Sequence, residues 1–169
     1  MGSGKSTIGP ILANALGWEF VDIDKLIEGK TDRKIVDIFS EAGELAFRAL
    51  EQKSLHELLD RNECVVSLGG GTLANDENFE FIRNNGIIVY LRLSTDNLLE
   101  RVRYKTDRPM LKGPGGKTLE GEELKERIEE LLRIRERYYS QAHIIIPADE
   151  MKVGPTVDII VKKLRGLIA

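Results

Sequence analysis

Short apolar runs alternate with amphipathic stretches along the whole chain. Apolar positions at helical spacing cover 8–16 and stop at Gly17, a residue suited to the left-handed turn that ends a helix. Residues 19–24 read as a strand, Phe20-Val21-Asp22-Ile23, closing on an acidic pair; alternation puts Phe20, Asp22 and Asp24 on one side. Asp24 is also suited to cap a short helix over 25–29. Helices are expected over 31–40 and 43–60, the second with the apolar set Leu45, Ala46, Ala49, Leu50, Leu58 and Leu59. Two continuous apolar runs, 64–68 and 87–91, have the character of strands buried on both faces. A helix over 75–85 closes on Gly86, and Ser94 opens another. The pattern then breaks: 105–121 carries Arg108-Pro109, Gly113-Pro114-Gly115-Gly116 and several lysines, a long irregular segment that is either a lid or disordered. Over 122–142 the stripe Leu124, Ile128, Leu131, Arg135, Tyr138, Ala142 returns to helical spacing, with Arg135 interrupting its apolar face. His143 to Ile146 form the last strand, and a helix beginning at Pro155 runs through Ile159, Ile160 and Leu164. Strands and helices alternate without a hairpin signal or an internal repeat. That order predicts an α/β fold, a three-layer α/β/α arrangement with a central parallel sheet.

Composition narrows the possibilities without choosing among them. At 169 residues the chain is expected to be one domain, 1–169, with a core of ordinary size. A net charge of −3 argues against broad nucleic-acid binding, yet local arginines can still hold an anionic small molecule. The single Cys64 cannot form an internal disulfide, and its apolar run suggests a buried thiol. No apolar stretch reaches 18 residues, so no membrane partner is expected.

The candidate chemistry starts at the N-terminus. Gly2-Ser3-Gly4-Lys5-Ser6-Thr7 matches the end of the phosphate-binding loop G-x-x-x-x-G-K-[ST]. Glycines let the backbone approach a ligand, and the N–H groups that follow cradle phosphate oxygens at a helix start. Lys5 would reach the β- and γ-phosphates, and the Ser6 hydroxyl would sit on Mg²⁺. The motif's first glycine would stand before residue 1, so the first strand of the sheet is expected upstream of residue 1; the bland alternative is a Gly/Ser-rich tail. Pro10 removes one helical N–H and bends the first turn.

Further candidates follow along the chain. Carboxylates paired at a strand end repel unless a metal, cation or substrate sits there, and parallel sheets bind ligands at that end. Arg48 has two helical partners available, Glu44 and Glu51, so a surface ion pair and a ligand-binding role both fit. Gly69-Gly70-Gly71 after a buried strand allows backbone to press against a ligand; a flexible turn is the alternative. A cationic lid carrying Arg108 would exclude water from a transferring phosphoryl group. Arg135, on a buried stripe, needs an anion, from the protein or from a substrate.

Taken in order, these residues resemble the shikimate kinase family, relatives of the nucleoside monophosphate kinases, over essentially the whole chain. The likeness rests on the N-terminal loop, Phe20-Val21-Asp22-Ile23-Asp24, Ile38-Phe39, Phe47-Arg48-x-x-Glu51, Ser67-Leu68-Gly69-Gly70-Gly71, Arg108-Pro109-x-Leu111 and Arg135-x-x-x-Tyr139. It implies that Gly2, Ser3, Gly4, Lys5, Ser6 and Thr7 bind ATP, and that Ser6 and Asp22 serve Mg²⁺, Asp22 through water. It implies that Asp24 binds shikimate hydroxyls and acts as the base, that Arg48 and Arg135 bind the shikimate carboxylate, and that Gly69, Gly70 and Gly71 pack on the substrate, Gly70 as a hydrogen-bond donor. Lys5 and Arg108 would act in catalysis beside Asp24, with Arg108 coming from a lid over about 105–121. Arg101 and Pro155 would lie near the adenine, and the helical segment over about 24–60 would form the shikimate-binding part. The implied protein is a cytoplasmic enzyme of aromatic amino-acid biosynthesis with small-molecule substrates, and a monomer is the default. Two alternatives remain beside it: another P-loop small-molecule kinase such as a gluconate kinase, and a nucleotide-binding switch. No N-K-x-D guanine motif occurs, which weighs against the switch.

Overall fold

The computed structural model describes residues 2–103, 109–113, 116–150 and 152–168. The chain begins with helix α1 (Lys5–Leu16), which ends on Gly17 in the left-handed region at φ 74°. Strand β1 (Glu19–Asp22) leads into α2 (Ile23–Thr31), and α3 (Ile35–Glu57) follows with a break at Gly43, φ 81° and ψ 174°. Strand β2 (Cys64–Ser67) precedes α4 (Asp76–Asn85), and β3 (Val89–Arg92) precedes α5 (Thr95–Val102). The long helix α6 (Gly121–Tyr139), β4 (Ile144–Pro147) and α7 (Val153–Ile168) complete the order.

The strand expected over 19–24 stops two residues early. The Asp22 carboxylate accepts from the N–H groups of Asp24 and Lys25, at 3.1 and 3.2 Å, and caps α2. Asp24 is therefore in the first turn of that helix and is not its cap. The helix expected from residue 31 begins at Ile35, after Asp32 turns the chain in the left-handed region. The expected apolar set of 43–60 holds only in part, at Leu50 and Leu58. Leu45 is 88 % exposed and Leu59 44 %, while the buried face runs through Phe47, Glu51, Ser54 and Leu55.

β1 pairs parallel with β2, Glu19 opposite Cys64 through Asp22 opposite Ser67, and β3 pairs parallel with β4. Both faces of these strands are covered. Val65 packs with Ile8 and Leu12 of α1 and Val157 and Ile160 of α7. The next residue, Val66, faces the other way, toward Leu55, Leu58 and Ile82. This alternation inside one apolar run is what a strand between two helical layers requires. The facing edges of β2 and β3 line a cavity of about 490 Å³, with Val65, Val66, Val89 and Leu91 on its walls.

The stripe predicted for α6 is in place: Leu124, Ile128, Leu131, Arg135 and Tyr138 are its buried residues. Leu124, Ile128 and Leu131 share a cluster with Leu98 and Val102 of α5 and with Leu111, so the described end of the segment over 105–121 is anchored in the core. The Arg127 side chain donates to the Met110 carbonyl at 3.1 Å and holds the same end. Among the described residues, no helix is long and apolar enough to cross a membrane.

Candidate active site

Two turns meet at the carboxyl ends of β1 and β2. At the front of α1, Gly4 takes φ 91°, and the helix start carries neither a side-chain cap nor an acidic residue. Its first N–H groups and the positive end of the helix dipole face an adjoining cavity, which is the chemistry of an anion site. That cavity holds about 330 Å³ and is lined by residues 2–7, by Asp22 and Asp24, by 67–70 and by Arg101. The strand register brings the acidic pair and the glycine turn together. Asp22 lies opposite Ser67, and two residues further on Asp24 comes to Gly69. Arg101 reaches over the loop from α5, its guanidinium 3.9 Å from where a Gly4 Cβ would stand.

The glycine turn explains itself through what surrounds it. A Cβ on Gly69 would stand 2.8 Å from Glu51 Oε1, 3.0 Å from Thr72 Oγ1 and 3.2 Å from Asp24 Oδ1. A Cβ on Gly71 would overlap the Arg48 guanidinium, 2.9 Å from its Cζ. These glycines thus let the protein's own side chains close in around one spot, which the sequence reading had assigned to substrate alone. Gly70 presents its carbonyl to the Tyr139 hydroxyl, which donates to it at 2.7 Å.

Arg48 and Arg135 arrive from different helices and have different surroundings. Arg48 donates through Nε and one terminal nitrogen to Glu44, at 3.2 and 2.9 Å, and through the other to Glu51 at 2.8 Å. Both helical partners of the sequence reading are used, but they are unequal: Glu44 is 49 % exposed in its side chain and Glu51 fully buried. Burial alone would lower the Arg48 guanidinium, and the two carboxylates more than offset this and hold it above its ordinary value. Glu51 also accepts from Thr72 Oγ at 2.5 Å, so one buried carboxylate ties α3 to the glycine turn. Arg135 is 5 % exposed, and among the described residues no carboxylate pairs with it. Burial pushes it below its ordinary value, the nearby Arg48 adds to this, and the Tyr139 oxygen beside it acts the other way.

The structure therefore gathers most of the residues singled out from sequence. The loop 2–7, Asp22, Asp24, Gly69, Gly70 and Arg101 share one cavity wall, and Gly71 lies against Arg48. Pro155 sits in the first turn of α7, exposed, and does not line that cavity. Arg108 and the residues around it lie outside the described residues. Thr72 and the buried role of Glu51 were missed. Glu51 could have been found from the stripe Phe47, Glu51, Ser54, Leu55, since a carboxylate on a buried face needs a partner. The oxygen set of Ser6 and Asp22 beside a phosphate-binding loop fits Mg²⁺, a hard cation that keeps several waters and takes few protein ligands.

A helix start suited to phosphate and a carboxylate pair at one group of strand ends, with an arginine packed on the glycine turn beside them, are features of the P-loop kinases that act on small molecules. The comparisons narrow this class. A family model described as shikimate kinase matches residues 1–165. The chain is 50 % identical over 164 residues to a shikimate kinase of Chlorobaculum parvum, covering 97 % of this chain and 88 % of the relative. It superposes on the shikimate kinase from Acinetobacter baumannii in complex with shikimate with a TM-score of 0.88 at 34 % identity, over 98 % of this chain and 89 % of that one. The shikimate kinase from Bacteroides thetaiotaomicron gives 0.86, also at 34 % identity, over 98 % and 94 %. The chain belongs to the shikimate kinase family.

Proposed function

We propose that the chain transfers the γ-phosphoryl group of ATP to the 3-hydroxyl of shikimate, giving shikimate 3-phosphate and ADP on the route to aromatic amino acids. The observation that carries this reading is the spot around Gly69, where Asp24, Glu51 and Thr72 converge beside the phosphate-binding loop and Arg48 lies against Gly71, two residues further on. An acceptor with hydroxyls at one end and a carboxylate at the other suits a carboxylate facing one set and guanidinia facing the other.

In this reading the N–H groups of residues 2–7 and the Lys5 ammonium hold the nucleotide phosphates, and Arg101 flanks them. Ser6 and Asp22 would hold Mg²⁺, which when bound neutralises charge on the phosphate oxygens. Asp24 orients the acceptor hydroxyl and takes its proton on a carboxylate oxygen as the phosphoryl group leaves ADP. Arg48, fixed by Glu51, and Arg135, whose buried charge has no carboxylate among the described residues, bind the acceptor's carboxylate. Such binding would supply the anion that burial of Arg135 demands. Gly69, Gly70 and Gly71 form the wall against which the acceptor packs. Arg108 is assigned to the transferring phosphates by resemblance, at the base of a lid over about 105–121, and the segment over about 24–60 is the acceptor-binding part. A monomer acting in the cytoplasm, where ATP is supplied, is the proposed form.

The test is ADP release with ATP and Mg²⁺, with and without shikimate. Stimulation by shikimate and none by gluconate or nucleoside monophosphates is the expected result. Equal stimulation by gluconate, or nucleotide binding without any stimulation, would overturn the acceptor assignment.

A further inference from the structure

Tyr139 closes α6 one turn beyond Arg135, and residues four apart lie on the same side of a helix. Its hydroxyl stands between two groups. It donates to the Gly70 carbonyl at 2.7 Å, and its oxygen lies beside the Arg135 guanidinium. A phenolic hydroxyl has one proton and two lone pairs, so with the proton given to Gly70 the lone pairs face the guanidinium. The ring is clamped against Tyr90 of β3, with centroids 4.8 Å apart, which limits how far the hydroxyl can swing.

These contacts join two parts of the site that are distant in sequence. Gly70 lines the cavity of the phosphate-binding loop, while Arg135 belongs to a helix distant in sequence. A guanidinium on a long side chain has several rotamers, and an acceptor oxygen at fixed distance from the glycine turn selects among them. The adjacent Tyr138 offers a natural contrast. Its ring is equally part of α6, but its hydroxyl donates to Asp76 at 2.9 Å, at the start of α4.

We propose that Tyr139 is a positioning residue for the acceptor: its hydroxyl fixes the Arg135 guanidinium relative to the Gly70 backbone and so sets the distance between the carboxylate-binding and phosphoryl-accepting ends of the site. This rests on the assignment of Arg135 to the acceptor carboxylate. Burial raises the Tyr139 hydroxyl above its ordinary value although Arg135 pulls the other way, so the proton it donates to Gly70 is retained at neutral pH.

The test is a double-mutant cycle on the full chain. Tyr139→Phe keeps the ring and its packing on Tyr90 and removes only the hydroxyl. It is expected to raise KM for shikimate about tenfold, the order of one polar interaction with a charged group, while KM for ATP and the melting temperature stay near those of the unaltered protein. In an Arg135→Ala background the same substitution is expected to change kcat/KM less than about twofold, because the group it acts through is gone. Tyr138→Phe is expected to leave KM for shikimate unchanged. A Tyr139→Phe protein with KM raised equally for both substrates and a lower melting temperature would assign the tyrosine to packing alone and overturn the proposal. So would an effect undiminished by Arg135→Ala, and in both cases the acceptor assignment would stand. Failure of shikimate to stimulate the unaltered protein would instead remove the acceptor assignment and this proposal with it.

Discussion

The two halves of the site are built from different material. The proposed phosphate half is made of consecutive residues: six positions at one helix start, with backbone N–H groups as the assigned binding atoms. The proposed acceptor half is made of side chains from α2, α3 and α6 around the glycine turn, brought together by β-register and by the buried Glu51. A backbone site keeps its shape as long as the local turn does. A side-chain site depends on packing elsewhere, so a single residue without any ligand contact can disable it.

Substitutions that touch only one half test this division. Asp24→Asn stands at the junction and is expected to have the largest effect. It keeps the size of the side chain and removes its basicity, so kcat should fall about a hundredfold to ten-thousandfold, the contribution usual for a general base. Nucleotide affinity, measured by titration with ADP, should change little, because Asp24 is assigned to the acceptor. An equal loss of nucleotide affinity would place Asp24 in the phosphate half.

Glu51→Ala comes next, since it should injure the acceptor half through stability. Glu51 is fully buried and serves both Arg48 and Thr72. Removing one partner of such a pair leaves the other desolvated and costs about 3 kcal/mol. Thermal unfolding should show a clear drop, and shikimate affinity should fall more than nucleotide affinity in the folded fraction. An unchanged melting temperature would mean that Arg48 and Thr72 have other partners.

The same division governs what could be seen in the sequence. The loop 2–7, which lines one cavity, was legible because its motif lies in six adjacent residues. The α6 stripe was legible because a regular period needs no knowledge of neighbours, and its odd member, Arg135, was found by that regularity. The start of α2 was misplaced because Asp22 and Asp24 are both good caps, and only the folded backbone decides between them. Leu45 in α3 and Leu59 beyond its end misdirected the reading, while Glu51 and Ser54 sat on the buried face. Of the partners of Glu51, Arg48 is visible at helical spacing, but Thr72 is distant in sequence and periodicity carries no trace of it. Pro155 was placed by resemblance alone, and the cavity wall does not include it.

A smaller effect is expected at Gly71. A Cβ there would overlap the end of the Arg48 side chain, which is flexible, so the guanidinium should give way and the backbone should not. Gly71→Ala should therefore raise KM for shikimate roughly tenfold, about the effect of one weakened charge-assisted hydrogen bond, and leave KM for ATP as it was. Substrate-dependence assays separate the two. A comparable rise in KM for ATP would show that the turn serves both halves as one rigid piece.

The smallest expected effect is also the sharpest contrast within the acceptor half. Glu44 and Glu51 both hold Arg48, at helical spacings of four and three, with similar distances. Their environments differ, and environment decides the magnitude. An exposed i, i+4 pair gains little in water and is screened by salt, whereas the buried partner leaves desolvated groups behind when it is lost. Glu44→Gln should shift stability by less than about 0.5 kcal/mol in chemical denaturation, with the shift shrinking as salt is added. Because Glu44 occupies the Nε side of the Arg48 guanidinium, its neutral replacement should leave that side more available to an incoming carboxylate, and KM for shikimate should fall or stay unchanged. A loss of stability approaching that of Glu51→Ala would mean that the two carboxylates act as one network, and that exposure is a poor guide to their separate roles.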